Sequence, residues 1–366
     1  MRLFSRWKDR YIKEPIAEQA AVFIDKGQYN LAIRTLEEGL DIDPDYPSFI
    51  WLRAEAAFKT EDWESALACY EDLEDVLGRD TPATLYEARA KVYFLKQSYE
   101  NAIAAYVQAE KKGIDDIHLY FNRGVSFLQI AGYDLALKDF LKVEKREPDF
   151  PTLGLFLAES YFFLKKYRTA TAYFRRAAQQ RDLTEKQFAM LAEAYLKMDA
   201  YKKASIILST LIHKFSDRPH YLNKRATCYL RMGETEEALN DLNQVIKKDG
   251  NFSQAYSNRG RALLLIEQLE EGKRDLEKAI ALDASNGEAY RDLSHYFLLR
   301  NQPETALRQL EKAFIIDVKI PLLYYYKGLA LLQMGEEKEG RRALLTAAQQ
   351  GEAQAMEKLK SLERRA

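Results

Sequence analysis

Two cysteines in 366 residues, Cys69 and Cys228, are too few and too far apart for a disulfide framework or a CxxC metal motif. They read as small buried side chains. Prolines number only nine, and no Pro- or Ser-rich linker separates globular domains. No apolar run approaches the ~18 residues of a membrane-spanning helix. The opening MRLFSRWKDRYIKEP lacks the apolar stretch of a secretory signal, so a reducing, cytoplasmic location is expected. A formal net charge of −1 argues against nucleic-acid binding by the chain as a whole. The histidines, His118, His213, His220 and His295, are never three or four residues apart, so no metal pair shares a helical face. Phosphate loops, nucleophile elbows and zinc-protease signatures are missing as well. No cofactor, metal or catalysis is expected. The chain reads as a binder.

What is present is a core-forming composition, 47% hydrophobic and 30% charged, and a repeat. YFNRGVSFL at Tyr120 returns as YSNRGRALL at Tyr256, 136 residues later, which is four times 34. YYYKGLALL at Tyr324 keeps the spacing of Tyr, Gly and Leu. Aligned on this motif, a small residue recurs at Ala20, Ala54, Ala90, Gly124, Ala158, Ala192, Ala226, Gly260, Ser294 and Gly328. Each step is 34 residues except the 36 between Ala54 and Ala90. Twelve residues after each comes a second small one: Ala32, Ala66, Ala102, Ala136, Ala170, Ala204, Ala238, Gly272, Ala306 and Gly340. Four further on stands a large one: Leu36, Tyr70, Tyr106, Phe140, Phe174, Leu208, Leu242, Leu276, Leu310 and Leu344. Ten copies in register establish an internal repeat.

Within a unit the spacing is helical. Tyr256, Gly260 and Leu263 share one face, and Leu269, Gly272, Leu276, Ala279 and Ile280 share another. A short polar turn, glycine-bearing at Lys26, Met232 and Met334, separates them. Each unit is therefore two antiparallel helices whose small residues allow a close crossing. Asp45, Asp149 and Asp217, each two residues before a proline, are expected to cap the helices that follow.

The pattern resembles the tetratricopeptide repeat (TPR) family, carried in one unit by Tyr120, Gly124, Phe127, Ala136, Phe140 and Val143. The resemblance implies an all-α fold, a right-handed superhelical solenoid of tandem helix-turn-helix units. Such a stack is held by interfaces between neighbours. Departures are visible. The proline that closes the second helix survives only at Pro44 and Pro148. Gly78 and Gly250 can end a helix instead, whereas Asp182, Ser216, Ala284 and Val318 are expected to end it less sharply. Gly154 replaces the large first residue of the fifth unit, which predicts a gap and a soft point. The units run 13–46, 47–80, 83–116, 117–150, 151–184, 185–218, 219–252, 253–286, 287–320 and 321–352. A basic amphipathic segment over 1–12 precedes them, and a capping helix over 353–366 follows, with Ala353, Met356, Leu359 and Leu362 on one stripe.

In the family, the first helices of successive repeats line a concave groove that binds other proteins, as peptides or helices. Two ladders fall there. One is apolar in every unit; it is either core or a partly exposed track with Phe58, Phe94 and Phe162 as anchors. The other varies: Ala21, Glu55, Lys91, Val125, Glu159, Glu193, Thr227, Arg261, His295 and Leu329. A scaffold or adaptor in a multiprotein assembly is the function this implies. A chaperone co-factor is an alternative, because some TPR domains grip an acidic C-terminus with a carboxylate clamp. Asn258 matches the clamp's middle asparagine, and Arg291 and His295 occupy third-repeat positions. Asn223 and Thr227 stand where lysine and asparagine belong, so the clamp is half complete.

Charge is zoned. Residues 14–80 carry 17 acidic and 5 basic side chains, and residues 161–231 carry 15 basic and 5 acidic. Such zones allow head-to-tail self-association. The basic zone lacks the aromatic interleaving of a nucleic-acid surface. At the N-terminus, Leu3, Phe4, Trp7 and Tyr11 share a helical face ringed by Arg and Lys. That segment is either a leading cap on the first repeat or an anchor to a partner or an anionic membrane surface, the latter making the chain a peripheral membrane-assembly factor.

Overall fold

Wherever the repeat asks for a helix, a helix forms. The structure, a computed structural model, describes residues 12–180, 182–215, 218–320 and 322–364. Leu3, Phe4, Trp7 and Tyr11 lie outside the described residues. The described residues hold 21 α-helices, one 3-10 turn at Gly78–Asp80, and no strand.

Two compact units divide the chain, Met1–Arg181 and Asp182–Ala366. The first contains five hairpins: α1 (Glu14–Asp25) with α2 (Tyr29–Ile42), α3 (Pro47–Lys59) with α4 (Trp63–Leu77), and α5 (Ala83–Leu95) with α6 (Tyr99–Lys111). Then come α7 (Ile117–Gln129) with α8 (Tyr133–Arg146), and α9 (Leu153–Phe163) with α10 (Tyr167–Gln180). The second opens with α11 (Glu185–Leu196) and α12 (Tyr201–Lys214), then α13 (Pro219–Met232) and α14 (Thr235–Lys248). It continues with α15 (Ser253–Leu265) and α16 (Leu269–Leu282), α17 (Gly287–Leu299) and α18 (Pro303–Ile316), and α19 (Leu323–Gln333) and α20 (Glu337–Gln349). A single helix, α21 (Ala353–Glu363), ends it. Inside each unit the two helices of a hairpin pack on each other, and the second helix packs on the first helix of the following element.

All thirty positions of the three ladders are buried. Where both small residues are glycine, the crossing leaves no room for a Cβ. A Cβ added at Gly260 would stand 2.9 Å from the Gly272 carbonyl oxygen and 2.7 Å from Leu276. The cysteines follow the same rule: both are buried and unpaired, and burial pushes their thiols up, Cys228 to about 11.

The arginine of the opening motif is a brace. Arg123 donates from Nε and Nη2 to the two carboxylate oxygens of Asp139, at 2.7 and 2.9 Å. Arg225 holds Asp241 in the same way, and Arg259 holds Asp275. In each case the aspartate sits 16 residues on, in the second helix of the same hairpin. Nη1 reaches the preceding second helix instead: Arg123 bonds Glu110 at 2.6 Å, Arg225 bonds Ser209 and Arg259 bonds Asn243. Burial opposes ionisation of Glu110, yet hydrogen bonds from Arg123 and Lys142 hold its carboxyl at about 2.

Every hairpin turns through one residue in left-handed conformation, seven positions after the first small residue. Three of these ten are Gly27, Gly233 and Gly335; the others are Glu61, Gln97, Ala131, Lys165, Asp199, Glu267 and Asn301, with φ between 53° and 61°. An L side chain pays roughly 1–2 kcal/mol there. Ala131→Gly is therefore expected to raise stability by about 0.5–1 kcal/mol, the gain being trimmed by the looser unfolded chain. Urea unfolding followed by circular dichroism checks this.

Helix ends differ from the sequence expectation. Asp45 and Asp149 do not cap, and Asp217 lies outside the described residues; the N-cap positions are Tyr46 and Thr152, and Pro151 lies two residues ahead of α9 while Pro47 and Pro219 open α3 and α13. Asp62 and Asp116 cap α4 and α7 instead, and four more aspartates act at helix C-termini. Asp43, Asp249, Asp283 and Asp317 each accept the N–H two residues on. Their extended backbones end α2, α14, α16 and α18. This side-chain turn makes Ala284 and Val318 follow helix ends as sharp as the one at Pro44.

At Gly154 the expected gap is present. Thr152 is left-handed (φ 65°), α9 starts late, and a cavity of about 80 Å³ borders Pro148, Phe150, Gly154 and Tyr173. In α21 the packed stripe is Ala355, Leu359 and Leu362, set against Leu344 and Ala347. Leu359 and Leu362 are where the sequence puts them, whereas Met356 and Ala353 are exposed, because repeated steps of three drift off one helical face.

Candidate interaction site on the first-helix face

Trp51, Glu55 and Phe58 fall at i, i+4 and i+7 on α3, so one face of that helix carries all three. With Lys59, Tyr70, Thr84, Glu87, Ala88 and Lys91 they line a cleft of about 420 Å³ between α3 and α5. Trp51 also borders a second cleft, of about 470 Å³, with Ala17, Ala21, Pro47, Leu52, Leu73, Leu77 and Pro82. The indole lies 6.0 Å from the Tyr70 ring and is half-buried, one edge serving as wall to both clefts. At the rim Lys91 pairs with Glu87 at 2.6 Å, while Glu55 makes no hydrogen bond or ion pair among the described residues.

Three sequence candidates thus meet in one place: Glu55, Phe58 and Lys91. The other two phenylalanines serve the turns. Phe94 packs edge-on against Tyr99 and Phe162 against Tyr167, each at the first position of the next helix, as Phe58 does against Trp63. All three are half-buried.

The remaining charged candidates are committed inward. Glu159 is buried, on a helix that is apolar almost all round. Glu193 is tied to Lys224 at 3.0 Å and Lys197 at 3.5 Å. Burial raises its pKa, but the hydrogen bonds and charges of Lys224 and Lys197 together outweigh that and hold the carboxyl below its usual range. In the second unit Asn258 donates to Asn223 Oδ1 at 3.0 Å and is buried. Arg291 is only 2% exposed, with Nε and Nη2 on the two oxygens of Asp292. That guanidinium is not offered to an outside carboxylate. His295 stacks on Tyr326 at 4.9 Å, and burial followed by the nearby Arg291 charge lowers its pKa. A neutral imidazole and an occupied arginine do not complete a clamp. Arg261 is half-buried without a hydrogen bond or ion pair among the described residues, and burial lowers its pKa.

Sequence reasoning passed over Trp51, although its i, i+4, i+7 spacing to Glu55 and Phe58 was there to be read. No group of three or more His, Cys, Asp or Glu among the described residues is arranged to hold a metal ion. No described helix is long and apolar enough to cross a membrane.

Among solved structures, a tetratricopeptide repeat protein from Parabacteroides merdae aligns over 78% of this chain and 98% of its own, at 18% identity and a TM-score of 0.40. The C-terminal part of a TPR repeat-containing protein from Cytophaga hutchinsonii aligns over 65% and 97%, at 17% identity and 0.49. The Naa15/Naa10 complex bound to HypK aligns over 92% and 63%, at 13% identity and 0.48. A tetratricopeptide repeat model matches residues 18–75. Residues 50–353, more than four fifths of the chain, match the family model described as Intraflagellar transport protein 56, and the chain belongs to that family of tetratricopeptide-repeat proteins.

Proposed function

We propose that the chain is a non-enzymatic scaffold that binds a partner peptide or helix on its first-helix face, at the paired clefts that share Trp51. The observation that carries this reading is the pairing itself. Two clefts of several hundred Å³ sit side by side on α1, α3 and α5, within the size range of ligand-binding sites. Most of their lining falls within residues 14–80, which carry 17 acidic and 5 basic side chains, so the fitting partner is a basic amphipathic segment. Its apolar anchors would straddle Trp51, and its Lys or Arg would meet Glu55.

Peptides selected on the full-length chain from a displayed library are expected to be basic, with two apolar anchors and micromolar affinity. Trp51→Ala should weaken them by about thirtyfold, the loss typical of a central aromatic anchor. Glu55→Lys should weaken them less and flatten their salt dependence. Arg261→Glu should leave them unchanged. Selected peptides that bind Trp51→Ala as tightly as the unaltered chain would sink the assignment.

A further inference from the structure

The residue before the first small position is arginine in five units: Arg53, Arg89, Arg123, Arg225 and Arg259. Three of them hold an aspartate 16 residues on. The residue 16 beyond Arg89 is Ala105. Half of the brace is nevertheless intact, since Nη1 of Arg89 bonds Glu74 on the preceding second helix at 2.6 Å, as Arg123 bonds Glu110. The other half has no acceptor. Nε of Arg89 is buried without a hydrogen-bond partner, and the nearest carboxylate to Nη2 is Glu71, at 3.8 Å.

Beside Arg89 and Ala105 there is a cavity of about 440 Å³, bordered also by Glu74, Tyr86, Tyr93, Asn101 and Gln108. A buried N–H without an acceptor is strongly disfavoured, more so when it carries charge. Tyr93 does not supply the lack. Its hydroxyl helps to hold the Arg89 guanidinium charged and its ring lies 5.9 Å away, yet Nε is still left without a hydrogen-bond partner.

We propose that this cavity is a subsite for a carboxylate from outside the chain, which takes the bidentate place on Nε and Nη2 of Arg89 that Asp139, Asp241 and Asp275 take in the other hairpins. Gln108 supplies an amide donor at its border, where the Asn101 amide already donates to Ser98 Oγ at 3.1 Å. The subsite faces α4 and α6, away from the Trp51 clefts, and does not depend on them. Glu74 shares the guanidinium, so binding of a lone carboxylate is weak, with a Kd on the order of 1–10 mM. Affinity then comes from whatever else the ligand brings.

The Nε–Hε resonance of Arg89, identified by its loss in Arg89→Lys, reports directly on the bond. It is expected to shift on titration with succinate and with the peptide acetyl-Gly-Ala-Asp-Ala-Gly-amide, and not with the peptide's Asn analogue. A stronger response to the peptide assigns the carboxylate to an acidic partner chain; a stronger response to succinate assigns it to a small diacid. Glu74→Gln should tighten either by about fivefold. Ala105→Asp should place the resonance at its ligand-bound position with nothing added and abolish further response. An unmoved resonance at saturating succinate and peptide, or Ala105→Asp titrating like the unaltered chain, overturns the proposal.

Discussion

Asp139→Ala is expected to destabilise the hairpin of α7 and α8 by about 3–5 kcal/mol, because it leaves the Arg123 guanidinium desolvated and half unpaired. The starting pair is deeply enclosed, with Arg123 5% and Asp139 3% exposed. Glu110 keeps Nη1, so the residual charge is not wholly uncompensated, which places the effect toward the lower end of that range. Replacing both partners, Arg123→Leu with Asp139→Leu, should recover most of the loss, since two apolar side chains of similar bulk need no desolvation of charge. The readout is hydrogen exchange of the amides in residues 117–146, with circular dichroism for the whole chain. If the single substitution leaves exchange in that hairpin unchanged, the brace does not hold the two helices. Should the double variant be as unstable as the single, packing around the pair matters more than its charge.

The periodic part of this structure was legible because a ladder of small and large residues is a direct image of helix crossing. Ala20 through Gly328 and their partners needed no more than counting. What stayed hidden depends on groups whose identity varies while their geometry does not. The left-handed turn position is glycine in only three hairpins, so Glu61 or Lys165 gives no sign of its backbone. The helix-ending aspartates stood one residue before the position being watched, and Asp283 does at its own carboxylate what Pro44 does with a ring. Arginine was visible in the motif, but its role rests on a partner 16 residues away in another helix. The candidate site divided on the same ground. Glu55, Phe58 and Lys91 lie where neighbouring first helices leave space, whereas Glu159 and Arg291 occupy similar faces that their surroundings have closed. Spacing specifies a face; whether that face is open depends on the bulk of residues one repeat away.

Three glycines expose that dependence in one experiment, since the same change to alanine should give three different results. At Gly154 an added Cβ meets nothing within 4 Å, and alanine restores helix propensity, so Gly154→Ala should stabilise by about 0.5–1 kcal/mol. At Gly124 the Cβ would come 2.6 Å from Cε1 of Phe140, a side chain and not backbone. Unit five already pairs Ala158 with Phe174, so Gly124→Ala should end near neutral, propensity offsetting the strain. Gly260 is different in kind. There the obstruction includes a backbone carbonyl, that of Gly272 at 2.9 Å, and no rotamer change relieves it. α15 and α16 would have to separate, opening a gap along the Leu264 and Leu276 layer, so Gly260→Ala should cost about 2 kcal/mol and Gly260→Val about 3 or more. Urea midpoints by circular dichroism order the variants. A Gly260→Ala chain as stable as Gly124→Ala would mean that the second unit's hairpins are loose enough to part, and that the small-residue ladder records helix preference rather than contact.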